Sequence, residues 1–240
     1  MQNDLSINMN ANKYSNYDDI VRFPLFNKVK SNHDINVYID EQNKTLRAMG
    51  YTEHKYAHVE IVKDRTGYIL ETLGYDDHTI DLALCAAWMH DIGNVVNRIN
   101  HSQTGALMAF NILNSIGISA DDIAPIIRAI GNHDEGNGIP VSLISAALIL
   151  SDKSDVRRSR VLDEINDFDK HDKVNYSVTS STLKINEQHT SVELNLEVDT
   201  EYSEIGEFFE IFMDRLLLCH KAAKVLNLDF NLIINGQKLM

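Results

Sequence analysis

The chain has only two cysteines in 240 residues, Cys85 in one apolar helical stretch and Cys219 in another. That is neither a disulfide framework nor a zinc pattern, so both are expected to be buried thiols. Long hydrophobic runs are missing too. "LALCAAWM" and "LISAALIL" fall far short of the roughly 20 residues that span a bilayer. The opening "MQNDLSINMNANKY" has neither a basic start nor an apolar signal core, which leads to the expectation of a cytoplasmic protein with no membrane partner. Positive charge is scarce: 22 Lys and Arg stand against 35 Asp and Glu, a net charge of -13. A nucleic-acid binder needs an excess of phosphate-neutralising side chains on its contacting face, so no nucleic-acid partner is expected. A Gly-x-Ser-x-Gly elbow and a GxxxxGK loop are also absent, which argues against a serine hydrolase, a kinase or a nucleotide-driven motor. With 44% hydrophobic residues and only 3 Pro, the chain reads as an ordinary globular protein with one large core, or one domain plus a smaller one.

Most of the chain has helical spacing. Residues 34–49 and 58–74 form amphipathic segments that stop at Gly50 and Gly74, good helix-ending residues. Residues 79–90 are apolar nearly all round, as in a central helix packed on several sides, and "VSLISAALILSD" is a second such helix. Between them, "HSQTGALMAFNILNSIG" closes at Gly117. Ser119 with Asp122 is a candidate cap for the next helix, which Pro125 should start or kink and which should stop near Gly131. Beyond about residue 170 the period changes. Val192, Leu194, Leu196 and Val198 alternate with polar residues, and "STLKIN" is a hairpin partner across the "EQHT" turn. A long amphipathic helix carrying Phe208, Phe209, Phe212, Leu216 and Cys219 follows, then a strand "FNLIING". The pattern predicts a mainly α protein: an all-helical bundle over residues 1–168, then a small β-β-α-β accessory subdomain over 169–240. The apolar face of the last helix must be covered by its own strands, the bundle or a second subunit in a homodimer. The strands are the expected cover, and a chain ending near residue 168 is expected to keep its site.

The chain contains four His-Asp pairs. His33-Asp34 sits where a helix cap is expected, and His171-Asp172 sits in a polar link before the strands. His90-Asp91 differs because "AAWMHDIGN" carries both groups inward on a buried helix, where an unpartnered ionised carboxylate costs several kcal/mol or more. The second buried helix ends in Ser151-Asp152. Two buried helices that each deliver a carboxylate repel each other unless a cation or proton lies between them. With histidines at hand a divalent metal is the economical answer. Imidazole and carboxylate without Cys suit Mn, Fe, Co, Ni, Zn or Mg rather than a structural zinc site.

The order His58, His90-Asp91, His101, His133, Asp152 resembles the HD superfamily of metal-dependent phosphohydrolases over roughly residues 45–165. "GYTEHKYAHVEIV" looks like that family's first-histidine helix, "MHDIGN" like its signature and "LILSDKSDVRRSR" like the segment with the last aspartate. The resemblance implies an all-helical fold around a metal site. "NHSQTGALMA" and "IGNHDEGNGIP" resemble the segments that add histidines in two-metal members, which implies two divalent ions. Asp91 would bridge them, with His58, His90 and Asp152 completing one site and His101 and His133 the other. The alternative is that His101 merely follows Asn100 at a helix start and His133 decorates a Gly-rich loop.

Weaker candidates surround this set. Arg98, Lys153, Arg157 and Arg158 carry groups that bind phosphate oxygens, with Lys153 best placed as the neighbour of Asp152. For Arg157 and Arg158, an exposed basic stretch is an equal alternative. His54 is expected to be solvated or to support His58. Asn94 stands where many members of the family carry a basic residue. The implied function is hydrolysis of a small phosphorylated metabolite, a nucleotide or dinucleoside polyphosphate, by a metal-activated hydroxide with Asp91 and Lys153 at the reaction centre. "GNGIP" resembles the stretch of cyclic-dinucleotide phosphodiesterases, with Ile139 in place of a tyrosine. A catalytically silent sensor is the third reading.

Overall fold

Two helices with almost no solvent-facing side stand at the centre of the bundle. In the computed structural model, which describes residues 14, 16–51, 56–161 and 168–240, α5 (Asp77–Met89) buries every residue from Ile80 onward, and α8 (Leu143–Lys153) every residue from Ile144 onward. They pack on each other, and α4 (Tyr56–Thr72) lies across both. α6 (His101–Ser115) and α7 (Ala120–Gly131) pair with each other, and α7 seats the pair on α5 and α8. Three further helices, α1 (Tyr17–Arg22), α2 (Pro24–Lys30) and α3 (His33–Ala48), close the N-terminal side. The buried Asp81 of α5 ties α2 in place by accepting the Leu25 and Phe26 backbone N–H groups at 3.0 and 2.6 Å. Each apolar side chain fully withdrawn from water contributes about 1.5–3 kcal/mol, so residues this deep act as the anchor for what their ends carry.

Local signals set the ends of these helices. Asn32, Asp76, Ser119 and Ser142 each accept a backbone N–H three residues ahead, as N-caps do. Gly50, Gly74 and Gly117 follow their helices with φ near +80°, a left-handed conformation in which a side chain is strained. Pro125 lies inside α7, which Ser119 has already started. The proline therefore neither opens the helix nor ends it.

The tail holds a four-stranded sheet in the order β1 (Val178–Ile185), β2 (Ser191–Val198), β3 (Asp229–Ile234), β4 (Gln237–Lys238). β1 and β2 form the expected hairpin, with Leu183 opposite Leu194 and Ile185 opposite Val192. β2 and β3 run parallel, joined through α10 (Ile205–Val225), and β4 adds a short antiparallel edge. The fold is thus mainly α with a C-terminal β unit. Two features depart from the sequence pattern. His171-Asp172 lies not in a link but in a helix, α9 (Lys170–Ser177), because Asp169 and Asp172 make a reciprocal capping box. The buried face of α10, which includes Phe208 and Phe212, packs most extensively on α8 of the bundle and only secondarily on β3. The strands alone do not cover it. Among the described residues, no helix is long and apolar enough to cross a membrane.

Candidate metal centre

The ends of α5 and α8, the start of α4 and the starts or ends of α6 and α7 meet at one buried point. His58 comes from the first turn of α4, His90 caps α5 and Asp91 follows it. His101 begins α6, His133 follows α7, and Asp152 lies in the last turn of α8. A glycine permits the approach. Gly93, in the 3-10 turn Ile92–Val95, lies so close to α6 that a Cβ there would stand 2.0 Å from the His101 carbonyl oxygen and 2.5 Å from the Gly105 nitrogen. Only a residue without a side chain lets the His90-Asp91 turn sit against the helix that carries His101.

The six side chains form two groups that share Asp91. On one side, His58 Nε2 stands 3.2 Å from His90 Nε2, 3.6 Å from Asp91 Oδ2 and 3.3 Å from Asp152 Oδ1. On the other, His101 Nε2 stands 3.2 Å from His133 Nε2 and 3.4 Å from Asp91 Oδ1, with His133 Nε2 3.8 Å from that oxygen. All six residues are more than nine-tenths buried. The structure therefore brings together every histidine and aspartate that the sequence nominated as a ligand.

The opposite ring nitrogens assign the histidine tautomers. His90, His101 and His133 each direct Nδ1 to the carbonyl three residues back, Ala87, Arg98 and Ile130, at 2.8, 3.0 and 2.6 Å. His58 directs Nδ1 to Asp155 Oδ2 at 2.7 Å. A carbonyl oxygen only accepts, so in these rings Nδ1 carries the proton and the neutral imidazole offers a bare Nε2. Two such lone pairs aimed at each other over 3.2 Å repel unless a cation takes both. Ligands about 2.0–2.1 Å from one ion stand roughly 3.0–3.4 Å apart, which is the spacing found. The donor set fits a divalent metal. His58, His90 and Asp152 form one group whose atoms converge closely enough for an ion, and His90, Asp91 and His133 form another.

Charge supports the same reading. Burial alone would raise the Asp152 carboxyl, but Lys153 and the His58 ring outweigh it and hold it well below the usual carboxylate range. Burial lowers His90, yet Asp91 beside it wins and raises the imidazole, so a proton and a metal ion compete for one place. Burial, reinforced by the neighbouring His133, pushes His101 down to about 4. Arg98 lies at this second group, with Nη1 3.2 Å from His101 Nε2 and Nη2 3.8 Å from Asp134 Oδ1.

Two supporting residues, Asp155 and Glu135, escaped the sequence reading, and a third, Asn94, was singled out there for a different place. Asp155, fully buried, orients His58. Burial opposes its charge, but the His58 hydrogen bond and Arg160 outweigh burial and hold its carboxyl far below the usual range. Asn94 donates its amide to Asp91 Oδ1 at 2.9 Å and to the Asp91 carbonyl at 2.9 Å, so it fixes the shared carboxylate rather than facing a phosphate. Glu135 pairs with the Lys153 ammonium, which also lies 2.7 Å from Asp152 Oδ2, and with Arg215 of α10 at 3.3 Å. The signal for Asp155 was available: a ligating histidine needs an acceptor at its other nitrogen, and a second aspartate lies three residues past Asp152. Arg157 points its Nε at Asp155 Oδ1 at 2.9 Å, on the far side of His58 from the metal ligands. Arg158 turns outward to Tyr176 and Asp199, and His54 lies outside the described residues.

Comparison with known proteins agrees with this geometry. The sequence model of the family described as HD domain matches residues 41–169, more than half of the chain. The chain is also similar to uncharacterized protein MJ1020 of Methanocaldococcus jannaschii, at 22% identity over 57% of this chain and 61% of that relative. It thus spans about three-fifths of that protein's length, and the relative's name specifies no activity.

Proposed function

Because the chain belongs to the HD domain family, whose members are typically metal-dependent hydrolases, we propose that it hydrolyses a phosphate ester or anhydride of a small phosphorylated metabolite. A nucleotide or dinucleoside polyphosphate is the leading substrate class. The observation that carries the proposal is the pair of facing imidazoles, 3.2 Å apart, on each oxygen of Asp91. His58, His90, Asp91 and Asp152 would hold one divalent ion, and Asp91, His101 and His133 a second. Such ions lower the pKa of a water and polarise phosphoryl oxygens.

The remaining work falls to the chain. Asp91 spans both groups, and Asn94 keeps its carboxylate from rotating. Asp155 holds the His58 ring in its tautomer, and the backbone carbonyls do the same for the other three histidines. Glu135 and Lys153 fix Asp152 from behind, so we assign Lys153 to positioning that ligand. Arg98, partly exposed beside His101, is the cation best placed to take a phosphate oxygen in a forked contact. The same guanidinium competes for His101 Nε2, which makes the second ion the weaker of the two.

The test is phosphate release from a panel of nucleotides, dinucleoside polyphosphates and cyclic dinucleotides, with each candidate divalent metal supplied in turn. Turnover of nucleotides or dinucleoside polyphosphates is the expected result. Turnover of cyclic dinucleotides alone would transfer the activity to the phosphodiesterase class, and silence with metal bound would leave a sensor.

A further inference from the structure

Behind His58, away from the metal ligands, a cleft of about 370 Å³ opens between α4, the segment after α8 and strand β1. Arg65 and Ile61 of α4 form one wall, Asp155 and Arg157 another, and Thr179 and Ser180 the third. It is a basic pocket in an acidic protein.

Two of its guanidinium groups are incompletely satisfied. Arg65, 4% exposed, donates Nη1 to Ser154 Oγ at 2.7 Å and Nη2 to the Ser181 carbonyl at 2.6 Å, but its buried Nε has no acceptor. Arg157 donates Nε to Asp155 and Nη1 to Ser159 at 2.9 and 2.5 Å, and its buried Nη2 has no acceptor either. Native proteins seldom leave buried N–H groups unpaired, least of all on a cation. Burial lowers the Arg65 guanidinium to about 10, with Asp155 only partly offsetting it, so the charge there is under-compensated. Arg158, on the same rim, is engaged elsewhere: it stacks on Tyr176 at 4.4 Å and pairs with Asp199 at 3.0 Å.

We propose that this cleft is a second ligand site, which binds the phosphate group of a small phosphorylated molecule between Arg65 and Arg157. A phosphate offers several acceptor oxygens to the two guanidinium-bearing residues on two walls, with Thr179 and Ser180 on the third. The volume exceeds what a bare phosphate needs and falls within the range of small-molecule sites. The ligand is an effector rather than the substrate, because the His58 ring and the Asp155 carboxylate stand between the cleft and the metal ligands. Strand β1 belongs to the C-terminal unit, so this unit acquires a role in ligand binding.

Calorimetric titration of the full metal-loaded chain tests the assignment, with inorganic phosphate and phenylphosphonate as probes that cannot be hydrolysed. Two bound anions per chain are expected, one at the metal ions and one in the cleft; the cleft anion persists in Asp91→Ala and weakens at least tenfold in Arg157→Gln and Ser180→Glu. Ser180 is exposed on the sheet's edge strand, so Ser180→Glu keeps its fold while placing a carboxylate against the arginines. Tighter binding of phenylphosphonate identifies an organic phosphate as the ligand, and equal binding identifies the anion alone. Either supports the site. Binding that disappears in Asp91→Ala and survives in Ser180→Glu, or no binding in the wild type at millimolar anion, overturns it.

Discussion

Asp155 accepts the Nδ1–H of His58 at 2.7 Å while Arg157 Nε and the Arg160 guanidinium approach the same carboxylate, at 2.9 and 3.8 Å. A residue with no part in holding metal thereby decides which nitrogen His58 presents to it. Outer partners of this kind typically contribute 10–100-fold to metal affinity. Asp155→Asn keeps the volume and loses the charge, so the ion held by His58 should bind about 10–100-fold more weakly while the protein stays folded. Titration with a competing metallochromic chelator checks this, and unchanged affinity would remove Asp155 from the account.

Gly93→Ala should be costly for a different reason. The new methyl meets the His101 carbonyl at 2.0 Å, so the His90-Asp91 turn and α6 must separate. Backbone against backbone yields little, and a loss of about 1–3 kcal/mol in stability is expected together with the second metal group. Chemical denaturation and metal analysis of the variant measure the two effects. Wild-type values for both would show that the contact has slack.

Acid should destabilise the metal-free protein in two steps. His101 is held at about 4 in the folded chain, against about 6.5 when unfolded, so between those values the unfolded state binds more protons and stability falls as pH falls. Glu135, Asp152 and Asp155 are all depressed. The stability they contribute is present above the unfolded carboxylate range near pH 4 and is lost as pH drops through their folded values. His90, raised by Asp91, takes up its proton more readily in the folded chain and partly offsets the first step, so thermal melts in chelator from pH 7.5 to 3.5 should decline gently from about pH 6.5 and steepen below 4.5. A flat profile would contradict both assignments.

The C-terminal helix should prove inseparable from the bundle. α10 covers α8, and its Arg215 reaches Glu135, which in turn holds Lys153 beside Asp152. A chain ended near residue 168 exposes the α8 face and removes a charge from that relay. It should be insoluble or lose its metal. A soluble, metal-loaded fragment would restore the expectation of an independent accessory unit.

That expectation shows where the sequence stops being informative. His58, His90, Asp91, His101, His133 and Asp152 were legible because a buried helix that ends in charged groups demands partners, and because their order along the chain resembles one family. The hairpin was legible because Val192 to Val198 alternate strictly. What covers Phe208 and Phe212 was not, since an amphipathic face specifies that it is buried and not by what. Asp155, Asn94 and Glu135 carry no periodic signal; each matters only through a neighbour that folding brings close. Helix α9 was missed because its polar residues mask a capping box, Asp169 with Asp172.

The central claim is that Asp91 joins two groups of metal ligands, and elemental analysis of purified variants tests it most directly. Wild type should carry two divalent ions per chain. His133→Ala should retain the ion held by His58, His90 and Asp152 and lose the other. Asp91→Ala should lose most of both along with measurable hydrolysis, and His171→Ala, exposed on α9, should match wild type. Equal metal content in wild type and His133→Ala would contradict the two-ion arrangement, and a full complement of metal in Asp91→Ala would contradict the site itself.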